Sequence, residues 1–159
     1  MKYVVECFPD FHFVKVLTGV SRKQIDHAGN ISEVIKRLLK TENAIGLIDE
    51  DPQGSKPSFF YRKFSLSKDF QNFAIYVESK NSNPLIVLKP RLEGWILKAA
   101  KKSKLSLKKF GLPETEEKLH KVINQKLNLE KFKKVLEELL KRKNKDLIKI
   151  KELLKKGVK

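Results

Sequence analysis

The chain opens on a short apolar run, "KYVVEC", rich in β-branched and aromatic residues, which predicts a buried strand. The next stretch, "FHFVKVLTGV", places Phe11, Val14 and Leu17 at helical spacing, with Asp10 in position to cap a helix. "KQIDHAG" allows a short second strand. Asn30 then precedes "ISEVIKRLLK", where Ile31, Val34, Ile35, Leu38 and Leu39 make one apolar stripe. "AIGLID" is a third apolar strand. Strand, helix, strand, helix, strand with short connections predicts an α/β fold, a parallel or mostly parallel sheet flanked by helices.

The pattern then loosens. "EDPQGSKPSFFYRKFSLSKD" is turn-rich and reads as irregular. "FAIYVES" and "PLIVL" are two further strands separated by the loop signal "KNSN". "RLEGWILKAAKK" reads as a helix with Glu93 in its first turn. Beyond it lie two or three amphipathic helices. Phe132, Val135, Leu136, Leu139 and Leu140 share one face, and Leu147, Ile150 and Leu154 share another. The expected organisation is an α/β domain over residues 1–102 and a basic helical extension over 103–159.

Charge sharpens that division. The 159 residues carry 35 Lys and Arg against 19 Asp and Glu, a formal balance of +16. Residues 1–97 hold 14 cations against 11 acids, and residues 98–159 hold 21 against 8. A cationic surplus in one half favours a polyanionic partner, with nucleic acid, DNA or RNA, ahead of a membrane surface. Lys-rich surfaces also arise from genome composition or growth temperature, and 30 of the 35 cations are Lys. No apolar run approaches the roughly 20 residues that cross a bilayer, and "MKYVVECFPD" does not read as a signal peptide, so a cytoplasmic protein is expected. The single Cys and three His exclude an internal disulfide and a Cys/His zinc site.

Against this basic background, "NAIGLIDEDPQG" gathers Asp49, Glu50 and Asp51 at the end of an apolar strand. In open parallel α/β sheets, ligands bind at the carboxyl ends of the strands. Glu6 ends the first strand and Asp49 the third, so both belong to that edge. Oxygen ligands without Cys or a His cluster favour Mg²⁺ or Mn²⁺. A calcium loop fails, because its twelfth position would be Phe60. No G-x-x-x-x-G-K-[ST] accompanies the acids, so there is no phosphate cradle of that type. The plain alternative is a solvated turn begun by Asp51 and Pro52.

The spacing of "ECFPD" and "DED", with the "HAGN" turn between them, resembles the Toprim fold family. Its signature is a Glu ending the first strand and a D-x-D ending the third. The later "LKPRLEGWIL" is similar to a segment of the Toprim-like proteins related to overcoming-lysogenization-defect nucleases. The resemblance covers roughly residues 3–100. It implies a Toprim-like domain with Asp49 and Asp51 as metal ligands and Glu6 as a further ligand or the catalytic acid or base. It implies Mg²⁺- or Mn²⁺-dependent nuclease cleavage of nucleic acid, in a phage-defence or repair setting. Glu50 would point to the opposite face. Cys7 stands where that family has Gly, and a side chain there would crowd an approaching phosphate. The alternative is a non-catalytic nucleic-acid-binding or assembly module with a degenerate site. The apolar stripes of the extension would then serve a homodimer or a protein partner.

Other residues complete the candidate site. Asp10 and Glu93 are candidates for a second acidic cluster, set against helix-start roles for both. Lys56, Arg62 and Lys63 alternate with Phe59, Phe60, Tyr61 and Phe64, a pattern suited to phosphate contact and base stacking or simply to anchoring a loop. Lys89 and Arg91 flank Pro90 beside the presumed site edge, where either could meet a phosphoryl oxygen. Trp95 is read as packing. His12, His27 and His120 are read as structural.

Overall fold

The computed structural model describes residues 1–50 and 56–157. Six strands form one sheet: β1 (Lys2–Val5), β2 (Ile25–His27), β3 (Ala44–Asp49), β4 (Phe64–Asp69), β5 (Phe73–Glu78) and β6 (Pro84–Leu88). Their order across the sheet is β2-β1-β3-β6-β5-β4. The first four in that order run parallel. β5 and β4 then follow antiparallel to their neighbours. The sheet is therefore mixed, where the sequence pattern pointed to a parallel or mostly parallel one. The hairpin "FAIYVES"–"PLIVL" turns back on itself through a loop too short for a crossover.

Helices cover both faces: α1 (Phe8–Thr18), α2 (Ile31–Lys40), α3 (Phe60–Lys63), α4 (Leu92–Lys102), α5 (Glu116–Ile123), α6 (Lys126–Lys141) and α7 (Lys145–Lys156). The central strands read as continuous apolar runs because both of their faces are buried. Alternation still sorts their side chains. Tyr3, Val5, Ile45, Leu47, Ile86 and Leu88 join a core with residues of α1, α4, α5, α6 and α7. Val4, Ala44, Ile48, Leu85 and Val87 join Val34, Ile35 and Leu38 of α2, closed off by Phe60 and Phe64.

Specific polar contacts fix these layers. The buried Tyr3 hydroxyl donates to the Leu154 carbonyl at 2.8 Å, tying the first strand to the last helix. Asn83, itself buried, accepts from the Ala44 N–H and donates to the carbonyls of Leu38 and Thr41. One amide thus joins the end of α2 to the start of β3. Asn30 caps α2 as its sequence suggests, with Oδ1 accepting the Glu33 N–H at 2.9 Å.

Two local expectations are corrected. Helix α1 begins before Asp10, with Cys7 at the cap position and Pro9 in the first turn, where a missing N–H costs nothing. Asp10 is thus a residue of the helix and not its N-cap. The second correction is β4, which lies in the stretch read as irregular. All of its residues but Phe64 are exposed.

An acidic edge as the candidate functional site

Strand parity decides which carboxylates meet. Asp49 follows Ile48 by one residue, so it falls on the same face as Ile45 and Leu47, the face covered by α1 and α4. The first turns of those two helices carry Asp10 and Glu93. Glu6 directly follows β1, the neighbour of β3. Four acids from separate elements therefore share the carboxyl edge of the parallel strands. Glu50 falls on the opposite parity, and its N–H donates to the Leu88 carbonyl at 2.7 Å.

Each acid has a distinct local setting. Asp49 Oδ1 accepts the Leu92 N–H at 2.9 Å, which caps the start of α4 from a distant strand. Asp10 is fully buried, and its Oδ2 accepts the Cys7 N–H at 3.2 Å. Glu93 is buried, and its Oε1 lies 3.0 Å from Nδ1 of His120 on α5. Asp10 Oδ1 and Glu93 Oε2 are buried without a hydrogen-bond partner among the described residues. Two carboxylate oxygens removed from water in that way call for a proton or a cation.

The electrostatics agree. Burial raises the Asp10 carboxyl to about 7, with Glu6 and Glu93 adding repulsion. Burial likewise raises Asp49 to about 9, with Asp10, Glu93 and Glu6 all acting in the same direction. Asp10 and Asp49 thus both feel the charge of Glu6 and Glu93. The N-termini of α1 and α4 point their positive ends at the same region and offset part of that repulsion.

Cys7 sits beside this cluster. Its backbone is extended, at φ −134°, so no glycine-specific conformation is needed there. Its thiol is pushed upward, first by burial and then by Asp10, which leaves it protonated and a poor nucleophile.

The candidate cations divide between two edges. Lys89 and Arg91 follow β6 at the acidic edge, but each already has a carboxylate. Lys89 pairs with Asp69, and Arg91 Nε lies 3.3 Å from Glu116 Oε1. Arg62 and Lys63 are exposed and precede β4, whose first residue pairs with Glu78 and whose last pairs with Ala74. That register puts them at the other edge of the sheet, away from Asp49. Lys56 Nζ lies 5.5 Å from the Phe60 ring centroid and 5.8 Å from that of Tyr76, over the α2 side. Phe60 and Phe64 are stacked and buried, so these aromatics anchor the loop. Trp95 is buried edge-on to Phe13, as packing requires.

His120 is the member of the site that the sequence did not reveal. It stands 27 positions from Glu93, and only the docking of α5 brings them together. Asp51 lies outside the described residues. Among the described residues, no three His, Cys, Asp or Glu side chains converge closely enough to hold a metal ion. No helix among them is long and apolar enough to cross a membrane.

Compared with protein-family models, curated proteins and solved structures, the chain gives no match.

Proposed function

We propose that this chain carries out Mg²⁺- or Mn²⁺-dependent phosphodiester chemistry on nucleic acid, with strand cleavage as the reaction. The observation that supports it is the gathering of Glu6, Asp10, Asp49 and Glu93 at one sheet edge, two of them with unpartnered buried oxygens. The oxygen-only donor set suits a hard divalent cation. Asp49, Asp51 and Glu6 would hold it, as the Toprim-like spacing implies. A bound cation offsets charge on a phosphoryl oxygen and lowers the pKa of bound water. The protein's part is to hold Asp49 through its bond to Leu92 and to keep water from Asp10 and Glu93 by burial. The surplus of Lys and Arg beyond residue 97 would draw the polyanion toward the molecule.

A second reading has its own support. Asp49 caps α4, Asp10 closes the first turn of α1 and Glu93 holds His120. A non-catalytic nucleic-acid-binding or assembly module could retain all three for structure alone. Cleavage of labelled DNA and RNA in magnesium separates the two readings. Under the enzyme reading, Asp49→Asn, which keeps an acceptor for Leu92, loses cleavage at least 100-fold while binding persists. An unchanged rate in that variant, or no cleavage by the wild type, leaves the binding module.

A further inference from the structure

Phe8 is a large apolar side chain left 49% exposed, although Phe11 and Phe13 on the same helix are buried. Its ring lies on the imidazole of His27, with centroids 4.4 Å apart and planes inclined by 22°. His27 is also exposed. The pair stands immediately beside Glu6, since Phe8 begins α1 and His27 ends β2.

The stack is held from below by main-chain bonds. Val5 pairs with His27 in the parallel ladder. The Ala28 N–H donates to the Val5 carbonyl at 2.8 Å, and the Gly29 N–H donates to the Glu6 carbonyl at 3.0 Å. Gly29 adopts φ +91°, a left-handed conformation that glycine takes without strain, and this lets the loop turn back onto Glu6. From α2, Arg37 Nη1 reaches Asp26 Oδ1 at 2.6 Å and the His27 carbonyl at 3.3 Å. The imidazole therefore sits on a fixed segment, and little ordering remains to be done when a ligand arrives.

We propose that Phe8 and His27 form a stacking platform for one unpaired base of a nucleic-acid strand, next to the acidic edge. This rests on nucleic acid being the substrate, and it specifies a single-stranded or locally opened one. An aromatic ring accepts any base face, and each such stack is worth a measurable share of affinity. A nucleotide presents a base and a phosphate a short distance apart. The platform would take the base, and a cation held by the carboxylates beside it would take the phosphate.

The test uses the full-length protein and a short single-stranded oligonucleotide carrying 2-aminopurine, in EDTA at low salt, where no cleavage takes place. Wild-type protein is expected to quench the 2-aminopurine on binding. Phe8→Ala should remove the quenching and weaken binding roughly 5- to 100-fold. Phe8→Trp should restore both, and His27→Ala should weaken binding in the same direction. A fully paired duplex should be nearly indifferent to Phe8→Ala. The proposal is overturned if Phe8→Ala binds the single strand within twofold of wild type with unchanged quenching. It is also overturned if the variant alters self-association in light scattering while oligonucleotide affinity holds, since the stack then belongs to a protein contact. Circular dichroism confirms folding of the variants, which change exposed side chains. No metal enters this measurement, so its failure is separate from failure of the cleavage assay with Asp49→Asn.

Discussion

Asp49 Oδ1 accepts the main-chain N–H of Leu92 at 2.9 Å, so the last residue of the third strand caps a helix that begins 43 positions later. The same carboxylate sits among three others. At neutral pH, where Asp49 is protonated, its substitution is felt through that bond. Asp49→Ala loses a cap, at a cost of about 0.5–2 kcal/mol. Asp49→Asn keeps an acceptor for the Leu92 N–H, so in the absence of metal it should be the more stable of the two. Chemical denaturation of both variants in EDTA checks the order.

The raised carboxyls fix the sign of a pH dependence. Asp10 at about 7 and Asp49 at about 9 stay protonated in the folded protein at pH values where the unfolded chain, near 4, has released those protons. Their contribution to stability is complete below about pH 4 and is lost as pH rises through about 7 for Asp10 and about 9 for Asp49. Each group can contribute a slope of at most about 1.4 kcal/mol per pH unit. Urea midpoints in EDTA should fall from pH 5 to pH 9, and Asp49→Asn should flatten the fall above pH 7. Midpoints that rise across this range would contradict the assignment.

Gly46 is placed where a side chain cannot go. A Cβ there would lie 2.6 Å from Leu85 Cδ1 and 3.0 Å from Leu38 Cδ2, inside the close packing between β3 and α2. Gly46→Ala should destabilise by about 1–3 kcal/mol through overpacking. Gly94→Ala offers a contrast. Its Cβ would first meet the Glu116 carboxylate at 2.7 Å, the end of a flexible side chain on the surface pair with Arg91. Thermal melts should show the Gly46 substitution to be the costlier.

Asn83 carries three hydrogen bonds that no neighbour can replace. Asn83→Ala leaves the Ala44 N–H and two carbonyls without their partner, at roughly 1–3 kcal/mol for each group that water cannot reach. Asn83→Asp should recover only the bond to Ala44, since its carboxylate accepts and does not donate. Denaturation midpoints should rank wild type above Asp and Ala.

Much of this architecture is legible along the chain. Strands β1 and β3 and helix α2 announce themselves because burial on one or two faces imposes a regular apolar pattern. Asn30 is legible as a cap because its role is settled within three residues. Strand β4 is not legible, because an edge strand whose only buried residue is Phe64 has no face to impose alternation. The start of α1 is marked by Pro9, a first-turn signal, and Asp10 lies inside that turn instead of capping it. Glu6 and Asp49 are readable from strand ends. The approach of His120 to Glu93 depends on how α5 docks, which local spacing does not encode. Nor does the sequence show that Lys89 and Arg91 already hold Asp69 and Glu116.

The cationic helices make a separate prediction. Lys118, Lys121, Lys133, Lys134, Lys141 and Lys155 are exposed on α5, α6 and α7. Affinity for nucleic acid should fall linearly in log–log form with salt, with a slope near −0.7 to −0.9 per phosphate neutralised. Lys133→Glu together with Lys134→Glu should reduce that slope. A salt-independent affinity would remove the role given to these helices.

Calorimetric titration of Mn²⁺ into the metal-free protein at pH 8 decides the proposal that the acidic edge holds a divalent cation. Saturable heat is expected with the wild type, and heat that disappears in Asp49→Asn while that variant remains folded. Absence of any binding heat in the wild type, or the same isotherm in both proteins, would contradict it.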